Sequence, residues 1–224
     1  MKGGGNMSSK SIDSLLEKIA LHANCDIGEY RRVQELDDRR LYLYGEILPV
    51  DSDDSICSDA SLTSTLVEYI LEFNRADEGI PSEERKPIRL YINSPGGSVT
   101  EGFALVSIIE LSKTPIYTIN VGQWSSMAFL IGIAGHRRFS LPASSFLMHD
   151  GSTFAFGSTS KAQDKMDFEK RFDQEIVKAH VLKHSNMRSS EYDALARVEY
   201  YLLPEDALER GFIDEIVTSI ETIF

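Results

Sequence analysis

Apolar positions along the chain switch between two rhythms, and the switching predicts a layered fold. Ile12, Leu15, Leu16, Ile19 and Ala20 recur at helical spacing, so a short amphipathic helix is expected over Ser11–Ala23. The stretch from there to Arg40 is highly charged and reads as solvated. LYLYGEI, Leu41–Ile47, alternates as a strand does, and Pro49 with the acidic run Asp51–Asp54 ends it. Leu62, Leu66, Tyr69, Ile70 and Phe73 then mark one face of a helix. After a charged loop over Asp77–Pro87, IRLYIN at Ile88–Asn93 supplies the next strand. Strand, helix and strand in that order predict a right-handed parallel crossover.

The unit repeats, with a helix near Val99–Leu111, a strand at Pro115–Val121, a helix near Ser126–Ala134, and strands at Arg138–Leu141 and Phe146–His149. This is the pattern of an α/β layered domain. The longest helical candidate runs from Thr159 to about His184, with Phe168, Phe172, Ile176 and Ala179 on one face and charged residues on the others, so that stripe needs a partner to cover it. A helix near Ser189–Arg197, a short segment at Tyr200–Leu203, a helix begun by Pro204, a stop at Gly211 and a final strand FIDEIV complete the chain.

A length of 224 residues suits one α/β domain with a substantial core and is short for two. The net charge of -12 argues against a nucleic-acid groove, which needs a surplus of Lys and Arg. Cys25 and Cys57 stand alone, outside any C-x-x-C or metal-ligand spacing, so a reducing, cytoplasmic setting is expected and no disulfide framework. No apolar run approaches the ~20 residues of a membrane span, and the N-terminus has no apolar leader core, so neither membrane insertion nor secretion is expected. Met7 is read as the natural start, with Met1–Asn6 an addition ahead of it.

Three short stretches could carry chemistry. Ser94-Pro95-Gly96-Gly97-Ser98 lies at the carboxyl end of a strand, where open α/β sheets bind ligands, and its glycines permit close approach of backbone N–H groups. It equally suits a tight turn, with Ser98 and Glu101 forming a capping box. It lacks the Lys-Ser/Thr of a phosphate loop. Gly122-Gln123-Trp124-Ser125-Ser126-Met127 also joins a strand to a helix, and either serine could be a nucleophile or merely an N-cap. His149 ends the strand FLMH and competes with His22, His136, His180 and His184 for the role of base. His180 and His184 share a helical face at i, i+4, but without an H-E-x-x-H pattern that face is expected to be solvated and no metal is assigned. Together, a serine at a strand-to-helix turn, a histidine at a strand end and a Gly-Gly loop supply nucleophile, base and oxyanion donors.

The stretches Tyr91–Thr100 (YINSPGGSVT), Gly122–Met127 (GQWSSM), Arg138–Pro142 (RFSLP) and Phe146–His149 (FLMH) resemble, in order and spacing, the proteolytic subunit of the Clp protease, a ClpP/crotonase-fold family, over roughly Leu41–Val217. The resemblance implies a ClpP/crotonase-like layered sheet with a protruding handle helix at about residues 151–185, within a peptidase domain over 41–224 that follows the N-terminal helix and charged segment of 1–40. It implies Ser126 as nucleophile, His149 as base, Gly97 and Met127 as oxyanion donors, and an extended peptide held beside Ser98 and Val99. Glu199 stands where relatives carry the triad aspartate, with Asp193 and Asp150 poorer substitutes, and Arg197 and Val198 replace the charged pair that relatives use at the ring contact.

Kinship further implies peptide or unfolded-polypeptide substrates, no cofactor, heptameric rings stacked into a tetradecamer, and docking of a Clp-type AAA+ ATPase. Two other readings are a catalytically idle subunit of a mixed ring, which Glu199 motivates, and a crotonase-like acyl-CoA enzyme.

Overall fold

Residues 38–49, 62–151 and 158–224 are described by the computed structural model of the chain. The helix expected over Ser11–Ala23 and the acidic run Asp51–Asp54 lie outside these residues. The chain divides into a unit of Met1–Arg40 and a unit of Leu41–Phe224, and the architecture below is that of the second.

The strands are β1 (Arg40–Tyr44), β2 (Ile88–Ser94), β3 (Ile116–Ser125), β4 (Arg137–Ser140), β5 (Ser145–Met148), β6 (Tyr200–Leu202) and β7 (Glu215–Ile216). They form one sheet in the order β1-β2-β3-β4-β7, with β5 pairing to β3 and β6 to β5. The pairs β2·β3, β3·β4, β3·β5 and β4·β7 are parallel, and β5·β6 is antiparallel. Parallel strands need crossovers, and helices fill them. The helices are α1 (Leu62–Ala76), α2 (Val99–Leu111), α3 (Met127–Ile133), α4 (Thr159–Phe172), α5 (Lys178–Lys183), α6 (Ser189–Leu195) and α7 (Pro204–Glu209), of which α4, α5 and α6 lie between the antiparallel β5 and β6. α1 packs on α2, α2 on α3, and α3 against β3.

Strands covered on both faces lose their polar alternation, and β2 shows this, with Ile88, Leu90, Tyr91 and Ile92 all buried. Tyr91, Ile119, Phe139, Val217 and Ile223 cluster together, with Tyr42 stacked on Tyr91 at 5.2 Å.

The sequence expectations hold closely for α2, found over Val99–Leu111. Three departures have physical causes. The strand expected over Leu41–Ile47 ends at Tyr44, where Gly45 adopts φ +81 and donates its N–H to Asn93 O, and Ile47 returns as an isolated bridge to Gly97. β3 runs past Val121 to Ser125 because β5 supplies a partner there, Gln123 to Ser145 and Ser125 to Leu147. The long helix expected from Thr159 to His184 is broken by a π-helical turn, Asp173–Val177, between α4 and α5. Its apolar stripe is only partly covered: Phe172 meets Phe103 edge-on at 5.2 Å, whereas Phe168 and Ile176 stay exposed.

Candidate active site

At the carboxyl end of β3 the chain turns abruptly into α3, and Ser126 makes the turn at φ 55 and ψ -124. A residue with a Cβ held there stores about 1–3 kcal/mol, and such strand-to-helix elbows lift a side chain clear of the sheet edge. The Ser126 hydroxyl makes no capping bond to α3. Its O–H donates instead to Nε2 of His149 at 2.9 Å. Ser125, the other candidate, is buried and its hydroxyl donates to Gln123 Oε1 at 3.3 Å, so the two serines have different employments.

Strand register explains how distant residues meet. In the parallel pair β3·β5, Ser125 lies opposite Leu147, and the Ser126 N–H donates to Leu147 O at 2.9 Å. His149 therefore follows two residues beyond that contact. In the antiparallel pair β5·β6, Met148 lies opposite Tyr200, so the next position outward brings His149 to Glu199. Nδ1 of His149 stands 2.9 Å from Glu199 Oε1. A carboxylate only accepts, so Nδ1 carries the proton and Nε2 presents its lone pair to the Ser126 hydroxyl. The His149 side chain is 22% exposed and that of Glu199 57%.

The His149 ring pairs with Glu199 and with neither of the other carboxylates named from sequence. Asp193 accepts from Lys178 Nζ at 2.6 Å. Asp150 is exposed, with its N–H donated to Ala196 O. His136 accepts the Ile116 N–H on Nδ1. His22 lies outside the described residues.

The Gly-Gly loop lies against the elbow. A Cβ on Gly96, at φ +97, would stand 2.7 Å from Ser125 O and Ser126 Cβ and 2.9 Å from Met127 N. Gly97, at φ +141, has Ile47 on its other side, where a Cβ would fall 2.2 Å from Ile47 O. The bridge to Ile47 uses Gly96 O and the Ser98 N–H, which leaves the N–H of Gly97 itself outside the ladder. Met127 opens α3, where the first N–H groups have no intrahelical acceptor. Ser98 caps α2 through its Oγ, which accepts from the Glu101 N–H at 3.4 Å, but the reciprocal half of the expected capping box is replaced because the Ser98 N–H donates to Ile47 O. Ser98 O accepts from Gly102, while Val99 is exposed.

A hydroxyl, an imidazole and a carboxylate in one hydrogen-bonded row, with free N–H groups alongside, can activate oxygen toward a carbonyl carbon. A sequence model of the Clp protease family matches residues 80–220. The chain belongs to the Clp protease family. Its mixed α/β architecture is consistent with the ClpP fold. Clp protease membership supports a ClpP-like peptidase in general terms, and the family implies peptide substrates and ring-forming oligomers. Among the described residues of this Clp protease family member, no helix is long and apolar enough to cross a membrane.

Sequence reasoning passed over Asn120. Its buried side chain donates to Ser145 O at 3.0 Å and accepts from the Gly122 N–H at 3.1 Å, fastening β5 to β3 just where β4 ends. A polar residue inside the apolar run PIYTINV was the available signal.

One sequence expectation is corrected. The face shared by His180 and His184 is not solvated, since His180 is only 7% exposed and Glu110 of α2 packs against both rings. Burial pushes both imidazoles below the ordinary histidine range, against the pull of the Glu110 carboxylate. Burial also works to raise the Glu110 carboxyl, but hydrogen bonds from Lys183 and His184 outweigh it and hold the group at about 2.

Proposed function

We propose that this Clp protease family member is a serine endopeptidase that hydrolyses peptide bonds of unfolded polypeptides through an acyl-enzyme. The observation that carries the reading is the row Ser126 Oγ, His149, Glu199 with both contacts at 2.9 Å. Ser126 attacks the scissile carbonyl carbon while its proton passes to Nε2 of His149, and Glu199 stabilises the imidazolium through Nδ1. The carbonyl oxygen becomes an oxyanion held by the N–H groups of Gly97 and Met127, each donor contributing about 10²–10³ in rate. His149 then returns the proton to the departing amine, and water on the same path releases the acyl group from Ser126. No cofactor enters these steps.

The substrate lies extended beside Gly97, with Val99 offering an exposed side chain to it. Ser98 has its own N–H and C=O engaged within the chain, so in this reading it shapes the edge and its neighbours make the ladder bonds to the peptide. Kinship supports the wider setting, in which two heptameric rings enclose the site, the handle stripe of Phe168 and Ile176 is covered by a second copy, and a Clp-type AAA+ ATPase feeds unfolded chain in the cytoplasm. The alternative of an idle subunit in a mixed ring rests on the replacement of aspartate by Glu199, and the contact of Glu199 with Nδ1 favours the active reading. The pairing of Ser126 with His149 likewise favours peptide hydrolysis over acyl-CoA chemistry.

A fluorophosphonate probe tests the assignment. The wild-type chain is expected to label and Ser126→Ala to stay unlabelled, and equal labelling of the two refutes it.

A further inference from the structure

A second group of chemically capable side chains lies behind the elbow, where α2, α3 and α5 meet. Glu110 Oε1 is 3.0 Å from His180 Nδ1 and 2.8 Å from His184 Nε2. The ligand atoms of all three residues lie within 4.8 Å of one another. The two histidines stand one helical turn apart, which places both rings on one face, and their centroids are 4.7 Å apart.

His180 has acceptors on both sides. Nε2 faces Leu130 O at 2.8 Å and Nδ1 faces the Glu110 carboxylate. A single ring proton therefore leaves one nitrogen lone pair pointing at an oxygen, an arrangement that a cation between them relieves. With the proton on Nε2, donated to the Leu130 carbonyl, Nδ1 is the free lone pair. Backbone carbonyls hold metal-ligating histidines in this way. Lys183 Nζ binds Glu110 Oε2 at 2.8 Å, fixing the carboxylate so that Oε1 is the oxygen turned to the rings.

We propose that Glu110, His180 and His184 form a binding site for a divalent transition-metal ion of the zinc class, with Glu110 Oε1, His180 Nδ1 and His184 Nε2 as ligands and water in the fourth position. Two imidazoles and a carboxylate suit zinc, whose bonds of about 2.0–2.2 Å in a tetrahedron set ligand atoms about 3.3 Å apart. The two carboxylate–imidazole pairs, at 3.0 and 2.8 Å, need to open by a few tenths of an ångström, and the two imidazole nitrogens reach the same spacing from within 4.8 Å. His184 and Glu110 keep some exposure, 16% and 26% at their side chains, which leaves the ion a route from solvent and room for the water. The ion ties α2, which starts behind the Gly-Gly loop, to the helix that continues from the π turn, and His180 reaches α3, which starts after Ser126, through its hydrogen bond to Leu130 O. It stands apart from the Ser126 row and takes no part in peptide hydrolysis.

The test is zinc binding by the full chain, stripped with a chelator, desalted and titrated with Zn²⁺, with metal counted per chain. The wild type is expected to hold one ion, and Glu110→Gln and His184→Asn are each expected to bind at least about 10-fold more weakly while keeping the far-UV circular dichroism of the parent. His149→Ala, which removes the histidine of the other His–carboxylate pair, is expected to bind as the wild type does. Absence of binding by the wild type, wild-type affinity in either Glu110→Gln or His184→Asn, or loss of binding in His149→Ala overturns the site. If a substituted chain fails to fold, Co²⁺ bound to the wild type decides: an absorption spectrum of nitrogen and oxygen ligands is expected, and a thiolate charge-transfer band, placing the ion on cysteine, overturns the proposal.

Discussion

Glu199 reaches Nδ1 of His149 at 2.9 Å although its own side chain is more than half exposed. Water screens a carboxylate so placed, and its contribution therefore lies in fixing the tautomer and tilt of the ring more than in raw Coulomb attraction. Glu199→Gln is expected to lower kcat for a small peptide by about 10²–10⁴-fold with KM little changed. Glu199→Asp, whose carboxylate retracts by about 1.5 Å, is also expected to lose activity, even though aspartate is the acid that relatives use. Steady-state hydrolysis checks both, and wild-type kcat in Glu199→Gln refutes the role.

Gly96 separates backbone strain from site geometry. Gly96→Ala and Gly79→Ala both force a side chain into positive φ, +97 and +86, at a cost of about 1–3 kcal/mol. Only at Gly96 does the new Cβ strike Ser126 and Met127, whereas at Gly79 nothing lies within 4 Å. Denaturant titration is expected to show both proteins weakened. Fluorophosphonate labelling should fail in Gly96→Ala alone.

Asn120 joins the two strands that lead into Ser126 and His149. Asn120→Leu keeps the approximate volume and orphans Ser145 O and the Gly122 N–H, each at about 1–3 kcal/mol. A fall in unfolding free energy together with slower labelling of Ser126 is the expected result. An unchanged labelling rate in a folded variant would show that the β3·β5 seam holds without it.

Alkaline pH tests the anchor of the π turn. Burial, reinforced by Asp173, whose Oδ1 accepts the Tyr192 O–H at 3.1 Å, pushes the Tyr192 phenol above the ordinary tyrosine range. The unfolded chain thus releases this proton first as pH rises. The associated stability is whole below about pH 10 and declines above it, because the native state there holds more protons than the unfolded one. Tyr192→Phe is expected to flatten that decline and to cost about 1 kcal/mol at neutral pH. Equilibrium unfolding between pH 7 and pH 11 measures both.

Legibility in the sequence followed locality. The α2 helix could be read from end to end because its apolar residues and Ser98 cap are contiguous. The motifs at the ends of apolar runs left Ser125 beside Ser126 and four other histidines beside His149, and only the family resemblance singled out Ser126 and His149. The extension of β3 through Gly122–Ser125 could not be read, since GQWS has no strand rhythm and becomes a strand because β5 lies beside it. The π turn at Asp173–Val177 was hidden because one extra residue in a turn barely disturbs a 3.6-residue period. Burial of His180 depends on Glu110 and Leu130, 70 and 50 positions away, and no local pattern encodes such a meeting.

The placing of β5 between β3 and β6 has a mechanical consequence. His149 follows the middle member of a three-stranded ribbon, with Ser126 on one flank and Glu199 on the other. Sliding that member by one residue, about 3.3 Å, would part both contacts at once. For the proposed peptidase, competence would therefore be all-or-none along a single coordinate, and whatever grips the ribbon's edges would govern the chemistry without touching a reacting atom.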